Sequence, residues 1–237
     1  MRILQLANLY APVIGGLERS VATSSEELVR RGHEVTVLTL AHPGAPREEM
    51  RNGVRVVRAR SIATTLLPRM NQDPAKPFHP TAPDPLTTVD IRSELRAGRY
   101  DVVHSHDWLM YSYLPLRHGR DGVPHVHTAH DFGLMCVKKT FTQDGRHCPT
   151  GPRLGRCLPC ATGQYGRPRS LALLPHRLRQ VVAGAALEVG VQSRRGQRAV
   201  EGALRLRVAV AIEQRHGARQ PLGGQVRPHQ LGLRRRQ

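Results

Sequence analysis

The feature that most constrains this chain is the turn Asn8-Leu9-Tyr10-Ala11-Pro12-Val13-Ile14-Gly15-Gly16-Leu17-Glu18, which separates one apolar run from a second, helically spaced one. Residues 1–7 read as a short buried strand. After the turn, Leu17, Val21 and Leu28 recur near the 3.6-residue period, with Ala22 and Val29 widening the stripe, so a helix follows that packs back on the strand. Paired glycines let backbone approach a ligand closely, and the first free amides of a helix face whatever occupies the turn. An anion such as a phosphate is the expected visitor. A glycine pair that merely relieves strain at a strand-to-helix turn is the competing reading, and both stand at this point.

The helix closes at Arg30-Arg31-Gly32, with basic residues near its C-terminus and a glycine beyond. Residues 33–40 form a second strand, 47–52 a polar connection and 54–59 a third strand. Strand, helix and strand in this rhythm predict a parallel sheet with right-handed crossovers. Between residues 61 and 85 six prolines exclude regular structure over most of the stretch, which reads as a long surface loop. A helix over 86–97 ending at Gly98, a strand over 100–106, a helix over 108–117 and a strand over 124–128 follow. Residues 132–166 read as a loop-rich insertion, and a helix kinked near Pro175 over 170–182.

The 237 residues carry a formal charge of +18, from 36 basic and 18 acidic side chains, yet Lys76, Lys138 and Lys139 are the only lysines. The arginines are scattered and lack an interleaved aromatic series, so coding bias explains them better than a nucleic-acid footprint, and no specific nucleic acid is expected. No apolar run of about 18 residues marks a membrane span. The strand-like N-terminus lacks a cleavage site, which makes a cytoplasmic protein the default.

Ligands of open α/β sheets sit outside the carboxyl ends of the strands, near the point where strand order reverses. Three such ends carry suggestive residues: Gly15-Gly16, His104-Ser105-His106-Asp107 and His130-Asp131. Converging from such distant positions, they are expected to line one cleft. Asp107 and Asp131 either cap the helices that follow or serve a ligand. His104 with His106, and His125 with His127, share strand faces and could bind a metal, but no carboxylate completes the shell, and buried neutral histidines are the commoner outcome. Cys136, Cys148, Cys157 and Cys160 lie in the insertion. Their density in a cytosolic chain, and the two-residue gap in Cys157-Leu158-Pro159-Cys160, predict structural zinc ahead of free thiols or a labile disulfide. Bound zinc would contribute on the order of 10 kcal/mol toward ordering a loop with no core of its own.

Taken in order, Met1-Arg2-Ile3-Leu4-Gln5-Leu6, Pro12-Val13-Ile14-Gly15-Gly16-Leu17-Glu18, Gly32-His33-Glu34-Val35-Thr36-Val37-Leu38, Tyr100-Asp101-Val102-Val103-His104-Ser105-His106 and Thr128-Ala129-His130-Asp131 resemble the amino-terminal half of a family 4 glycosyltransferase, of the retaining GT-B class. The resemblance covers residues 1–180. It implies a Rossmann-like parallel sheet with helices on both faces, a nucleotide-sugar donor, and a sugar or lipid-linked acceptor, with peripheral membrane contact as a further partner. It implies that Gly15 and Gly16 approach the donor diphosphate, and that His130 lies beside the transferred sugar as the catalytic-site histidine. Glu18, His106, Asp107 and Asp131 would belong to the acceptor side. Some family members carry a cysteine-bearing insertion at the position of residues 132–166.

On this reading residues 1–183 form one domain. Residues 184–237 form an Arg/Gln/Gly-rich tail; from Gly190 onward it has no aromatic residue, and it is expected to be poorly ordered apart from an apolar stretch at 204–212. The class uses a second Rossmann-like domain with a Glu-x7-Glu pair to hold the nucleotide, and the tail does not resemble one. A frameshift near residue 185 accounts for that change of composition, and reading the other two frames tests it. The expectation is an acceptor-side domain inactive by itself. The alternative is a non-enzymatic, zinc-stapled basic protein that binds nucleic acid or anionic membrane.

Overall fold

The computed structural model describes residues 1–66, 79–117, 123–134, 136–148, 154–172, 188–190 and 207–209. The opening unit forms as its pattern dictates: β1 (Arg2–Leu6), α1 (Gly16–Arg30) and β2 (Glu34–Leu40). They are followed by β3 (Glu48–Arg51), β4 (Val54–Ala59), α2 (Ile62–Thr65), α3 (Pro85–Gly98), β5 (Val102–Ser105), α4 (Met110–Tyr113) and β6 (His125–His127). The sheet has the order β3-β4-β2-β1-β5-β6. Every pairing is parallel except β3 with β4. Strand order therefore reverses between β1 and β5.

Side chains alternate across this sheet, and each face has its own helix. Ile3, Val35, Val37, Val54 and Val56 pack with Val21 of α1. Leu4, Leu6, Leu38, Leu40 and Val103 pack on the other face with Ile91 and Leu95 of α3 and with Leu109 and Tyr113. The near-continuous apolar strands were thus a sign of burial on both sides.

Four expectations need correction. Residues 47–52 are an edge strand: Asn52 and Gly53 both take positive φ, 50° and 79°, and close a two-residue hairpin between β3 and β4. Asn-Gly suits this turn because both positions are left-handed. The Gly98 stop is also displaced by one residue, with Arg99 taking the left-handed conformation (φ 48°). Gly98 is needed for a different reason, since a Cβ there would sit 2.2 Å from the Tyr100 ring.

The proline-rich stretch is more tightly tied than a surface loop. Ser61 and Thr64 form a capping box on α2. Asp84 receives the Ile62 amide at 2.8 Å and the Thr87 amide at 3.1 Å, so one carboxylate caps two helices. His79 is fully buried and bonds Ser112 Oγ at 2.8 Å. The expectation for residues 67–78 lies outside the described residues.

The insertion also has a core. A hairpin of β7 (Thr142–Gln143) and β8 (Arg146–His147) precedes α5 (Leu154–Ala172), which is kinked at Gly166. Val137 and Ala161 join Trp108, Met110, Tyr111 and Leu114 in a buried cluster, so apolar packing holds this segment against the domain. The later helix expected over 170–182 is described only to residue 172. Beyond it, β9 (Glu188–Gly190) pairs in parallel with β10 (Arg207–Ala209), the latter inside the apolar stretch of the tail. The rest of the tail expectation lies outside the described residues.

Candidate functional site

The site grows from the carboxyl ends of β1, β5 and β6. The backbone crosses the reversal point through His106, whose amide donates to Leu6 O at 3.0 Å. Asp107 follows, and both its oxygens accept the Asn8 amide, at 3.0 and 2.8 Å; Oδ1 also accepts the Leu109 amide at 3.2 Å. Burial pushes the Asp107 carboxyl up to about 6, against the pull of Lys139 and of these amides.

Histidines occupy both faces here. On the α1 face, Gln5 pairs in register with His104, and the rings of His104 and His106 lie 4.1 Å apart. His106 Nε2 is 2.6 Å from Gln5 Oε1, and His106 Nδ1 is 3.0 Å from His130 Nε2. His104 Nε2 meets Thr128 Oγ1 at 2.8 Å. On the α3 face, Ser105 Oγ sits between His125 Nε2 at 2.7 Å and His127 Nδ1 at 2.8 Å. Tyr113 packs edge-on against His125.

Burial and mutual repulsion keep the His104, His106, His125 and His127 rings neutral. His104 is lowered to about 4, chiefly by burial and then by His130. His106 falls to about 2, by burial and then by His104, His130 and His127. His125 and His127 each fall to about 3, again by burial first. Because the two pairs occupy opposite faces, they do not converge on one ion. Among the described residues no three His, Cys, Asp or Glu side chains are placed to hold a metal.

The zinc expectation meets the same obstacle. Cys136, Cys148, Cys157 and Cys160 are not joined in disulfides and are partly exposed. Cys157 and Cys160 lie on α5, three residues apart on one helix, not in a knuckle loop.

Beside the histidines lies a pocket lined by His106, Asp107, His127, His130, Asp131 and Lys139, among others. Its inner volume of about 10 Å³ has room for one water, so a larger ligand must lie across its mouth. Asp131 caps no helix: its Oδ1 accepts the Gly133 amide at 2.6 Å in a local turn, and Lys139 Nζ approaches its Oδ2 at 3.7 Å. Lys139 also lies 4.4 Å above the Trp108 ring, whose Nε1 donates to Gly133 O at 3.1 Å. A cation and two carboxylates therefore share a small, half-dry space, where charge interactions are stronger than in water.

At the neighbouring strand end, Gly15 caps α1 in extended conformation (φ −145°, ψ −174°) with no side-chain cap. A Cβ on Gly15 would fall 2.2 Å from Glu18 Oε2, while one on Gly16 would meet nothing within 4 Å. Glu18 thus folds back over the first turn of the helix, toward Gly15. The backbone of neither glycine requires left-handed φ, so the empty space beside Gly16, not strain, is the feature here.

Sequence reasoning missed Gln5, Ser105, Trp108 and Lys139 as contributors to this site. Gln5 had a legible signal, as the one polar side chain inside an apolar strand. Ser105 had a similar one, between two histidines on a buried strand. Lys139 had none, because only the fold of the insertion carries it to Trp108.

A doubly wound sheet with polar, titratable groups gathered at its reversal point defines a Rossmann-like ligand-binding unit. Residues 14–156 match the model of Glycosyltransferase Family 4, and the chain belongs to that family. It is 34% identical over 135 residues to a D-inositol 3-phosphate glycosyltransferase of Nocardia farcinica, covering 55% of this chain and 28% of that protein. It is 32% identical over 120 residues to an uncharacterized glycosyltransferase of Methanocaldococcus jannaschii, covering 47% of this chain and 26% of the other. The chain therefore matches about a quarter of the length of these relatives. Among solved structures it is similar to a sucrose-phosphate synthase from Thermosynechococcus elongatus, at 15% identity and a TM-score of 0.47, covering 80% of this chain and 42% of that one. No helix among the described residues is long and apolar enough to cross a membrane.

Proposed function

We propose that this unit is the acceptor-side half of a retaining glycosyltransferase that moves a sugar from a nucleotide-sugar to a hydroxyl-bearing acceptor. The observation that carries the reading is the placement of the α1 N-terminus and the His106–His130 pair on the carboxyl ends of neighbouring strands in a family 4 chain. A leaving diphosphate gains charge as the glycosidic bond breaks. Preorganised amides at Gly15 and Gly16 would stabilise that charge more in the transition state than in the ground state. His130 would lie beside the transferred sugar, with Glu18, His106, Asp107 and Asp131 toward the acceptor.

Transfer in this class needs a second Rossmann-like unit that holds the nucleotide, so binding rather than turnover is the activity proposed for this unit by itself. Positioning donor against acceptor supplies roughly 7–11 kcal/mol of such barriers. The relatives named for D-inositol 3-phosphate make a phosphorylated cyclitol the first acceptor to try. Ligand-observed NMR of the full chain with inositol phosphates and with UDP- and GDP-sugars tests the reading. Saturation transfer to the acceptor, lost in His130→Ala, supports it; no transfer to any of these ligands at millimolar concentration overturns it.

A further inference from the structure

Inside the sheet, Gln5, His106 and His130 form a chain of side chains that reaches the pocket from a strand never exposed to it. Gln5 is fully buried and His106 is 5% exposed. The His106 ring is confined on one side by the His104 ring at 4.1 Å and anchored at both nitrogens, to Gln5 Oε1 at 2.6 Å and to His130 Nε2 at 3.0 Å. A neutral imidazole carries one proton, so the partner of one nitrogen decides the role of the other. A carboxamide oxygen only accepts. In this orientation, which leaves the buried Gln5 Nε2 without a hydrogen-bond partner, His106 carries its proton on Nε2, its Nδ1 accepts, and the bond to His130 is donated by His130 Nε2.

We propose that Gln5 is a positioning residue whose carboxamide oxygen, acting through His106, fixes the proton of the His130 ring on Nε2. With that proton committed to His106, the His130 ring in its neutral form has no second N–H to offer. Toward a hydroxyl-bearing ligand it is an acceptor only, which selects for a donated O–H and against an acceptor such as an ether or carbonyl oxygen. This last consequence rests on the transferase reading, whereas the tautomer assignment does not.

The reversed amide would invert the chain: Gln5 Nε2 would donate to His106, and His106 Nδ1 to His130. The two arrangements predict opposite proton positions on both rings. Two-bond ¹H–¹⁵N correlation spectra of the uniformly ¹⁵N-labelled full chain near pH 7 distinguish them. The expected result is Nε2-protonated tautomers for both His106 and His130; an Nδ1 proton on either overturns the proposal. In Gln5→Met, the ring nitrogens of His106 and His130 are expected to shift together toward a mixture of tautomers, while those of His125 and His127, bridged by Ser105 on the other face, hold still. Unchanged His130 nitrogens in a folded Gln5→Met chain also overturn it, and if that variant does not fold, the wild-type spectrum decides. Nucleotide-sugar binding plays no part in this readout, so failure of the transferase reading leaves it intact.

Discussion

Asp107 receives the Asn8 amide on both carboxylate oxygens, at 3.0 and 2.8 Å, so one side chain joins the two strand ends that flank the reversal point. The joint has a pH dependence of definite sign. Burial raises Asp107 from the usual 3.8 to about 6. The native state therefore holds this proton more tightly than the unfolded chain. The associated stability is fully present below about pH 4 and is lost as pH rises through 6.

Asp107→Asn keeps an acceptor for the two amides and removes the charge. Relative to wild type the variant should gain on the order of 2–3 kcal/mol between pH 4 and 7. Urea unfolding at the two pH values measures the difference, and a pH-independent difference would rule out burial as the cause of the shift.

The buried histidines act in the opposite direction. His79, His104, His106, His125 and His127 are all lowered to between about 2 and 4 by burial, with mutual repulsion adding to it within the cluster. Their stability is present above the unfolded value near 6.5 and is lost as pH falls toward the folded values. Each contributes about 1.4 kcal/mol per pH unit once the unfolded ring is charged, up to about 6 kcal/mol between pH 6 and 5 for the set. Denaturant midpoints at pH 7, 6 and 5 should fall steeply, with several protons taken up on unfolding. A flat profile would mean the rings are solvated and charged in the native state.

The glycine pair separates fold from function. Gly16 lies in the first turn of α1 with open space beside it, so Gly16→Ala should stabilise the fold by about 0.4–1 kcal/mol. If the amides there meet a diphosphate, the same change should weaken nucleotide-sugar binding. Gly15→Ala should displace the Glu18 carboxylate instead, with little change in thermal midpoint. Calorimetric titration beside thermal unfolding distinguishes the two effects.

At the outer hairpin, Gly53 has φ 79°, and a Cβ there would lie 2.8 Å from Val29 Cγ1. Gly53→Ala combines left-handed strain with a clash against α1 and should cost about 1–3 kcal/mol. Thermal or urea unfolding measures it, and a neutral effect would show that the turn relaxes freely.

The sheet was legible because its strands are short apolar runs separated by clear helix and turn signals. Leu4, Leu6, Leu38 and Leu40 could fill one face and Ile3, Val35 and Val37 the other only if both faces were covered. The edge strand at residues 48–51 was hidden by its polarity, Glu48, Glu49 and Arg51 being exposed or half-buried, and only the Asn52-Gly53 pair betrayed it. The cysteine spacing cannot distinguish a knuckle from one turn of helix, and Cys157 and Cys160 lie on α5, which packs on the cluster of Trp108 and Tyr111. Strand ends predicted where His106, Asp107 and His130 gather. The division of four histidines between two faces needed the register of β5 against β6, which places Ser105, not His104, beside His127.

Arg58 gives the outer hairpin a reach beyond its own edge. The side chain is buried at 3% exposure. Its guanidinium pairs with Glu49 on β3 and donates to Pro46 O at 2.6 Å and to Ala11 O at 2.8 Å, within the loop that leads into α1. Strand β4, two places from β1 in the sheet, thus holds the approach to Gly15 from behind. Shortening the hairpin or reversing the charge at Glu49 would slacken the entry loop without altering any residue that faces the cleft. The rim of the sheet furthest from the chemistry serves as its brace.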